Sequence, residues 1–174
     1  MNVRTLHLLP LALLAFAVAG LMSACSHYQL GTGGKLAFST LFIAPVDSTA
    51  PVPQARPIVG ANLREAFLRD GRVQLVDSPA AADAVLHITL VGYRREATVA
   101  SQTDPALARK FNLVLTAECT LTLHDGTVLF SKRKIEVSRE DYVDQGQLQA
   151  EYNMLPHLAD LLSNAVLHAS LDVW

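Results

Sequence analysis

The sequence is short of charge, aromatic rings and cysteine, and each shortage removes a class of protein. Charged residues make up 17% of the 174 and the formal net charge is −2, whereas a general nucleic-acid binder is strongly basic. Only two cysteines are present, Cys25 and Cys119. They lie far apart and cannot build a disulfide framework or a zinc knuckle. No repeat recurs at a fixed spacing, and there is no Gly-x-Ser-x-Gly elbow or His-Glu-x-x-His pair. Lys and Arg are missing altogether from residues 140–174. What is plentiful is apolar: 51% of residues are hydrophobic and the mean hydropathy is +0.27. That is too apolar for a disordered tail, and the length suits one domain with a sizeable core.

Much of the apolar excess sits at the front. Residues 1–24 carry one charge, Arg4, then the run Leu8–Leu21 and the small-residue exit Ser23-Ala24 before Cys25. A basic start, an apolar stretch and a small exit make a secretory leader. A retained transmembrane helix wants about 20 uninterrupted apolar residues, and Pro10 interrupts this one. Leu21-Met22-Ser23-Ala24-Cys25 resembles a bacterial lipobox, in which the cysteine receives a diacylglycerol on sulfur and becomes the mature N-terminus. The competing reading is an ordinary leader followed by an incidental cysteine. Ser26, rather than Asp, resembles the signal that sends such lipoproteins to the outer membrane. Without the leader the hydrophobic share falls to about 47%, ordinary for a soluble domain. The expected organisation is a lipoprotein signal peptide over 1–24, a lipidated glycine-rich tether over 25–36, and a single α+β domain over 37–174.

Within that domain, Leu36–Val46 reads as a strand ending at Pro45, followed by a proline-rich loop. A helix is predicted over Pro57–Asp70, with Val59, Leu63, Ala66 and Phe67 as one apolar stripe and Gly71 ending it. Val73–Val76 is a short strand, Ser78–Asp83 a turn or single helical turn, and Ala84–Thr98 a long strand with Leu86, Ile88 and Leu90 on one face. Phe111, Leu113, Leu115, Ala117, Cys119, Leu121 and Leu123 then alternate with Asn112, Val114, Thr116, Glu118, Thr120, Thr122 and His124. Period two over that length is an antiparallel strand with one wet face. Asp125-Gly126 marks a tight hairpin, Val128–Arg139 returns, and the slip in alternation near Ser131 predicts a bulge. Asp144 and Gln147 have capping-box spacing ahead of a helix carrying Leu148, Tyr152, Leu155, Ala159, Leu162, Val166 and Ala169, in which Pro156 predicts a kink. The expected fold is α+β, with two helices packed on one face of a four- to five-stranded mixed or antiparallel sheet.

No enzyme constellation emerges. The histidines His27, His87, His124, His157 and His168 fall in separate places, and His157 and His168 stand about three helical turns apart, too far to share a metal. Cys119, on the apolar face of its strand, reads as a buried inert thiol. No catalytic residue, metal or cofactor is expected beyond lipid on Cys25. Charge placement is more informative: residues 94–139 hold eight basic and five acidic residues, while 140–174 hold six acidic ones. The basic cluster suits phosphates or carboxylates of an anionic lipid or partner, or else it is a solvated sheet rim.

Several segments in order resemble the lipopolysaccharide (LPS)-assembly lipoprotein family called LptE: Cys25-Ser26-His27-Tyr28-Gln29-Leu30-Gly31, Phe42-Ile43-Ala44-Pro45-Val46 with Pro53-Gln54, and Asn62–Val73. Ala82–Leu86, Tyr93-Arg94-Arg95-Glu96, Ala108–Leu113 and the closing helix continue the likeness across residues 25–174. The departure is His27, which separates Ser26 from the tyrosine. The resemblance implies a lipoprotein anchored at the periplasmic face of the cell outer membrane. Such a protein plugs and helps assemble the β-barrel translocon, an LptD-type LPS-assembly protein, and contacts LPS, with no role for nucleic acid. Under that reading Arg94, Arg95, Lys132 and Lys134 are the candidate contacts with lipid A phosphates or with an acidic barrel lumen. A scaffold or pilot lipoprotein that activates a cell-wall synthase or secretion pore is the alternative, because Ile43–Val46, a helix and Val73–Asp77 resemble those proteins as well.

Overall fold

The computed structural model describes residues 36–100, 108–142 and 147–172. The leader, Cys25, His27, most of the tether and the Asp144 cap lie outside the described residues. In chain order the elements are β1 (Thr40–Ile43), β2 (Asp47–Ser48), α1 (Ala55–Asp70), β3 (Gln74–Leu75), a 3₁₀ turn (Pro79–Ala81), β4 (Ala84–Ala100), β5 (Ala108–Leu123), β6 (Val128–Tyr142) and α2 (Gln147–Leu171). The sheet order is β3-β1-β4-β5-β6, with β2 also pairing β4. Pairs β1–β3, β1–β4 and β2–β4 are parallel; β4–β5 and β5–β6 are antiparallel.

The strand predicted over Leu36–Val46 is only Thr40–Ile43, and the stretch predicted as loop resumes pairing as β2 beyond Pro45. Ile43 pairs with Leu86 but Asp47 with Thr89, so four steps on one strand face three on the other. The extra residue falls in Ala44–Val46, where Pro45 has no N–H to give a ladder. Ala44 N–H still donates to Leu86 O at 3.0 Å, and Thr49 N–H to Leu90 O at 2.9 Å. β1 and β2 are one strand stepped around a proline.

α1 begins two residues before Pro57, which therefore occupies its first turn, where four N–H groups lack intrahelical partners anyway. Val59, Leu63 and Phe67 are fully buried and Ala66 nearly so, so the apolar stripe is the core face. Gly71, at φ 73°, takes the left-handed cap and its N–H donates to Phe67 O at 3.1 Å. α2 continues through Pro156 and buries Leu155, Leu158, Ala159, Leu162 and Val166. The two helices run the same way: Asn62 Nδ2 donates to Pro156 O at 3.4 Å, and Arg69 to Asn164 Oδ1 at 3.3 Å. Their buried side chains join Leu41, Ile43, Leu86, Ile88, Leu90, Leu113, Leu115, Ala117, Cys119 and Leu121 in one core. Both helices thus cover the same face of the sheet, and among the described residues no helix covers the opposite, open face.

α2 has no basic residue but His168 near its end, so its terminal carbonyls find donors elsewhere. Arg133 of β6 donates to Ala169 O at 3.3 Å and Arg72, just past α1, to Leu171 O at 3.5 Å. Arg72 also binds Asp70 at 2.8 Å and Asp172 at 2.9 Å. Cationic groups there complement the negative end of the helix dipole.

Asp83 joins the two parallel strands at their starts. Its Oδ2 accepts from Ser39 Oγ at 2.7 Å and from the Ser39 and Thr40 N–H groups, each at 2.9 Å. Its own N–H donates to Thr40 Oγ1 at 2.8 Å, and its carbonyl accepts from His124 N–H at 2.7 Å. The Ser39 and Thr40 donors hold the Asp83 carboxyl well below its usual value of 3.8. A carboxylate whose folded pKa is depressed stabilises the fold fully above its unfolded pKa, and that contribution is lost as pH falls below it. We expect Asp83→Asn to lower Tm at pH 7 and to flatten the decline of Tm on acidification below pH 3.8. Thermal melts of both proteins from pH 7 down to about pH 2, well below the ordinary carboxylate pKa, check this; an unchanged acid slope would show that Asp83 does not carry it.

Candidate functional site

The basic residues singled out above belong to the long meander β4-β5-β6, and pairing register decides which face each occupies. Arg94 stands opposite Val114 and Arg95 opposite Leu113. Lys134 stands opposite Glu118 and Arg133 opposite Cys119. Leu113 and Cys119 are core residues, so Arg95 and Arg133 share the helix-covered side, while Arg94 and Lys134 rise from the open side. Lys132 sits where the register slips between Cys119 and Leu121. It has φ 48°, and its N–H donates to Thr120 Oγ1 at 3.0 Å. This is the bulge expected near Ser131. The four candidate contacts therefore do not form one patch: Arg94 and Lys134 come together, Arg95 lies on the other face, and Lys132 rides the bulge.

On the open face Arg94 is the centre of a charge lattice. Its Nε donates to Glu96 Oε1 at 2.7 Å, and Nη1 and Nη2 clasp the two oxygens of Glu136 at 3.1 and 2.9 Å. Thr116 Oγ1 donates to Glu136 Oε2 at 3.2 Å, and Lys134 Nζ stands 3.7 Å from the same carboxylate. The guanidinium therefore reaches from β4 over β5 to β6, a span of about 10 Å. Gly92 lies opposite Thr116, and a Cβ there would stand 3.4 Å from the threonine Cβ and Oγ1. Its absence leaves the Thr116 side chain room beneath the ion pair. Lys110 and Glu140 make a further pair on the same meander.

This arrangement sets the charge states. Arg94, then Thr116, holds the Glu136 carboxyl down to about 2, and the two glutamates push the Arg94 guanidinium up from its usual value. Both stay charged throughout the physiological range. Arg94 is about half exposed, at 49%, and Lys134 more so, at 65%, and an exposed ion pair of this kind exchanges partners at small cost. A phosphate approaching the open face would compete with Glu96 and Glu136 for Arg94. Lys134, at a loose 3.7 Å, is the easier donor.

The helix-side cations are held differently. The Arg95 guanidinium lies over the Phe111 ring at 5.1 Å and that of Arg133 over Phe130 at 5.7 Å. Glu96, Thr116, Glu136 and Gly92 were not singled out from sequence. The available signal was spacing: Arg94/Glu96 and Lys134/Glu136 are two apart, hence on one face of a strand.

Among the described residues no three His, Cys, Asp or Glu side chains gather as a metal site, and no helix is long and apolar enough to cross a membrane. Cys119 is fully buried, and burial pushes its thiol up to about 12.

The fold has relatives among solved structures. Lipoprotein B from Nitrosomonas europaea is 18% identical with a TM-score of 0.52, covering 82% of this chain and 88% of that one. A minor lipoprotein from Acinetobacter baumannii is 15% identical with a TM-score of 0.53, covering 79% and 96%. At these identities the likeness is one of fold. No curated protein matches the chain. A family model described as "LptE: Lipopolysaccharide-assembly" matches residues 38–168, from the residues leading into β1 to the last turn of α2. The chain belongs to the LptE lipopolysaccharide-assembly family.

Proposed function

We propose that this chain is a lipoprotein of the outer membrane, held at the periplasmic face by lipid on Cys25. There it plugs and helps assemble the LptD-type β-barrel LPS translocon and contacts LPS. The observation that carries the reading is the family match over residues 38–168, standing behind a lipobox at Cys25. The domain suits a binding role: one sheet face is buried under helices, while the other presents exposed charges on three long strands. Purification from detergent-solubilised outer membrane tests it. A roughly stoichiometric β-barrel partner is expected; a synthase or secretin in its place assigns the chain to the scaffold class.

Arg94, Arg95, Lys132 and Lys134 are the proposed contacts with lipid A phosphates or the acidic barrel lumen. Replacing all four with uncharged residues is expected to weaken LPS binding by about tenfold or more at low salt, and by less at high salt, since exposed charge interactions are screened. Binding equal to wild type at both salt concentrations removes these residues from the role. Their unequal pairing makes a finer forecast: Lys134→Ala should cost more than Arg94→Ala, whose guanidinium is already clasped by carboxylates.

A further inference from the structure

The sheet ends on two very different edges. β3 is two residues long, while β6 has 15 residues and pairs, among the described residues, only with β5. The backbone groups along such an edge are a template for a further strand, and proteins ordinarily shorten, bulge or cover it. β6 is bulged only at its start, where its register with β5 slips on both sides of Leu121. From Arg133 to Tyr142 the register is unbroken, so ten residues form a regular edge.

α2 runs along that edge and leaves an apolar flank above it. Only four residues separate Tyr142 from Gln147, so α2 starts near the end of β6 and turns back over it. Near its own end, its Ala169 carbonyl accepts from Arg133. A strand rises about 3.3 Å per residue and a helix about 1.5 Å. Four residues on from Arg133 therefore match about nine back from Ala169, which brings Leu161 about level with Val137. Pro156 and Asn164 meet α1 through Asn62 and Arg69, and helical steps of about 100° turn Leu161 and Ala165 to the flank away from α1. Leu161 is 38% exposed, and Ile135 and Val137 are only partly buried. Edge backbone and apolar flank together make a groove.

The charges along the groove narrow what fits it. The helix side of β6 reads Arg133, Ile135, Val137, Arg139 and then Asp141, and the open side reads Lys134, Glu136, Ser138 and Glu140. Glu136 is clasped by Arg94 and Glu140 pairs with Lys110, so both glutamates are drawn from the edge toward the inner strands. Asp141 lies beyond Arg139, outside the apolar pair. Arg133 and Arg139 therefore bracket Ile135 and Val137. Arg133 gives one of its five N–H groups to Ala169 O and keeps others for a ligand.

From the regular edge and the apolar flank beside it we infer that this groove takes one extended segment of the β-barrel partner, which adds a strand outside β6. Alternate residues of that segment face α2. Apolar ones lie against Val137 and Leu161, and a carboxylate on either side meets Arg133 and Arg139. The pattern reads the same in both directions, so a parallel or an antiparallel strand satisfies it. Backbone hydrogen bonds hold such a segment and its alternate side chains select it. The inference rests on the plug reading for the partner's identity, and one segment in one edge keeps the assembly one to one.

Hydrogen exchange on the complex, purified from detergent-solubilised outer membrane, tests it. Alternate amides between Arg133 and Glu140 are expected to exchange at least about tenfold more slowly than in the free full-length chain. A photoreactive residue at Ser138 or at Leu161 should cross-link to one and the same segment of the barrel chain, and one at Leu68 on α1 should miss it. The double variant Arg139→Glu/Leu161→Asp should lower the Ser138 cross-link by about tenfold, while Leu68→Asp leaves it unchanged. A barrel that co-purifies while these amides exchange as in the free chain, or a Ser138 cross-link indifferent to the double variant, overturns the groove and leaves the plug reading intact. Recovery of no barrel with the wild-type chain overturns both.

Discussion

Phe67→Ala is expected to destabilise the domain by about 3–5 kcal/mol, lowering Tm by on the order of 10–20 °C. The side chain is fully buried on the core face of α1, among the largest groups in the interior, and is one turn from the helix end. Truncation loses the transfer free energy of the ring and leaves a cavity between helix and sheet that a close-packed interior only partly fills. The adjacent Leu68 is the control. It is 68% exposed, so Leu68→Ala should change stability by less than about 0.5 kcal/mol. Denaturant melts of the two variants check both figures, and similar losses for both would place the core wrongly.

Cys25→Ala is expected to move nearly all of the chain from the membrane fraction to the soluble periplasm. Each buried methylene contributes about 0.8 kcal/mol, and stable anchoring takes at least two acyl chains or a second signal. No helix among the described residues is a substitute span. Fractionation after labelled-palmitate feeding reads the result directly. Label that persists on the alanine variant, or a variant that stays with the membrane after a high-salt wash, would remove the anchor from the account. Because the core formed by the described residues is built from Phe38 to Leu171, the released protein should keep the thermal stability of its parent.

The elements with strong periodicity were legible in the sequence. Val59, Leu63, Ala66 and Phe67 were read as the inner stripe of a helix and are all buried. The alternation of β5 put Leu113, Leu115, Ala117, Cys119 and Leu121 inside, and each is at most 2% exposed. The slip near Ser131 is a real bulge. What escaped were features made by partners distant in sequence. Val114 and Thr116 alternate onto the open face and yet are 2% and 3% exposed. In the case of Thr116, its hydroxyl binds the glutamate of an ion pair that arrives from both neighbouring strands. The split of the first strand depends on its register with β4, 43 positions away at Leu41 and 42 at Asp47. The basic cluster was visible as a count, and adjacent strand residues must divide between two faces, but which of Arg94 and Arg95 faces the helices was fixed by a slip in β4 between Leu90 and Gly92, which the apolar pattern there did not announce.

The placement of β1 has a consequence for how the chain is made. It is the first strand in sequence, yet it lies inside the sheet, between β3 and β4. β4, β5 and β6 are joined in order through antiparallel pairs and can zip locally, whereas β1 must wait for residues some 34 and 43 positions further on. Contacts of that separation close slowly. Any route that delivers the chain N-terminus first therefore presents β1 and the proline-rich segment after it while they have nothing to pair with. The first strand in sequence stays unpaired until β3 and β4 have emerged, and that interval is when the chain most needs a holder.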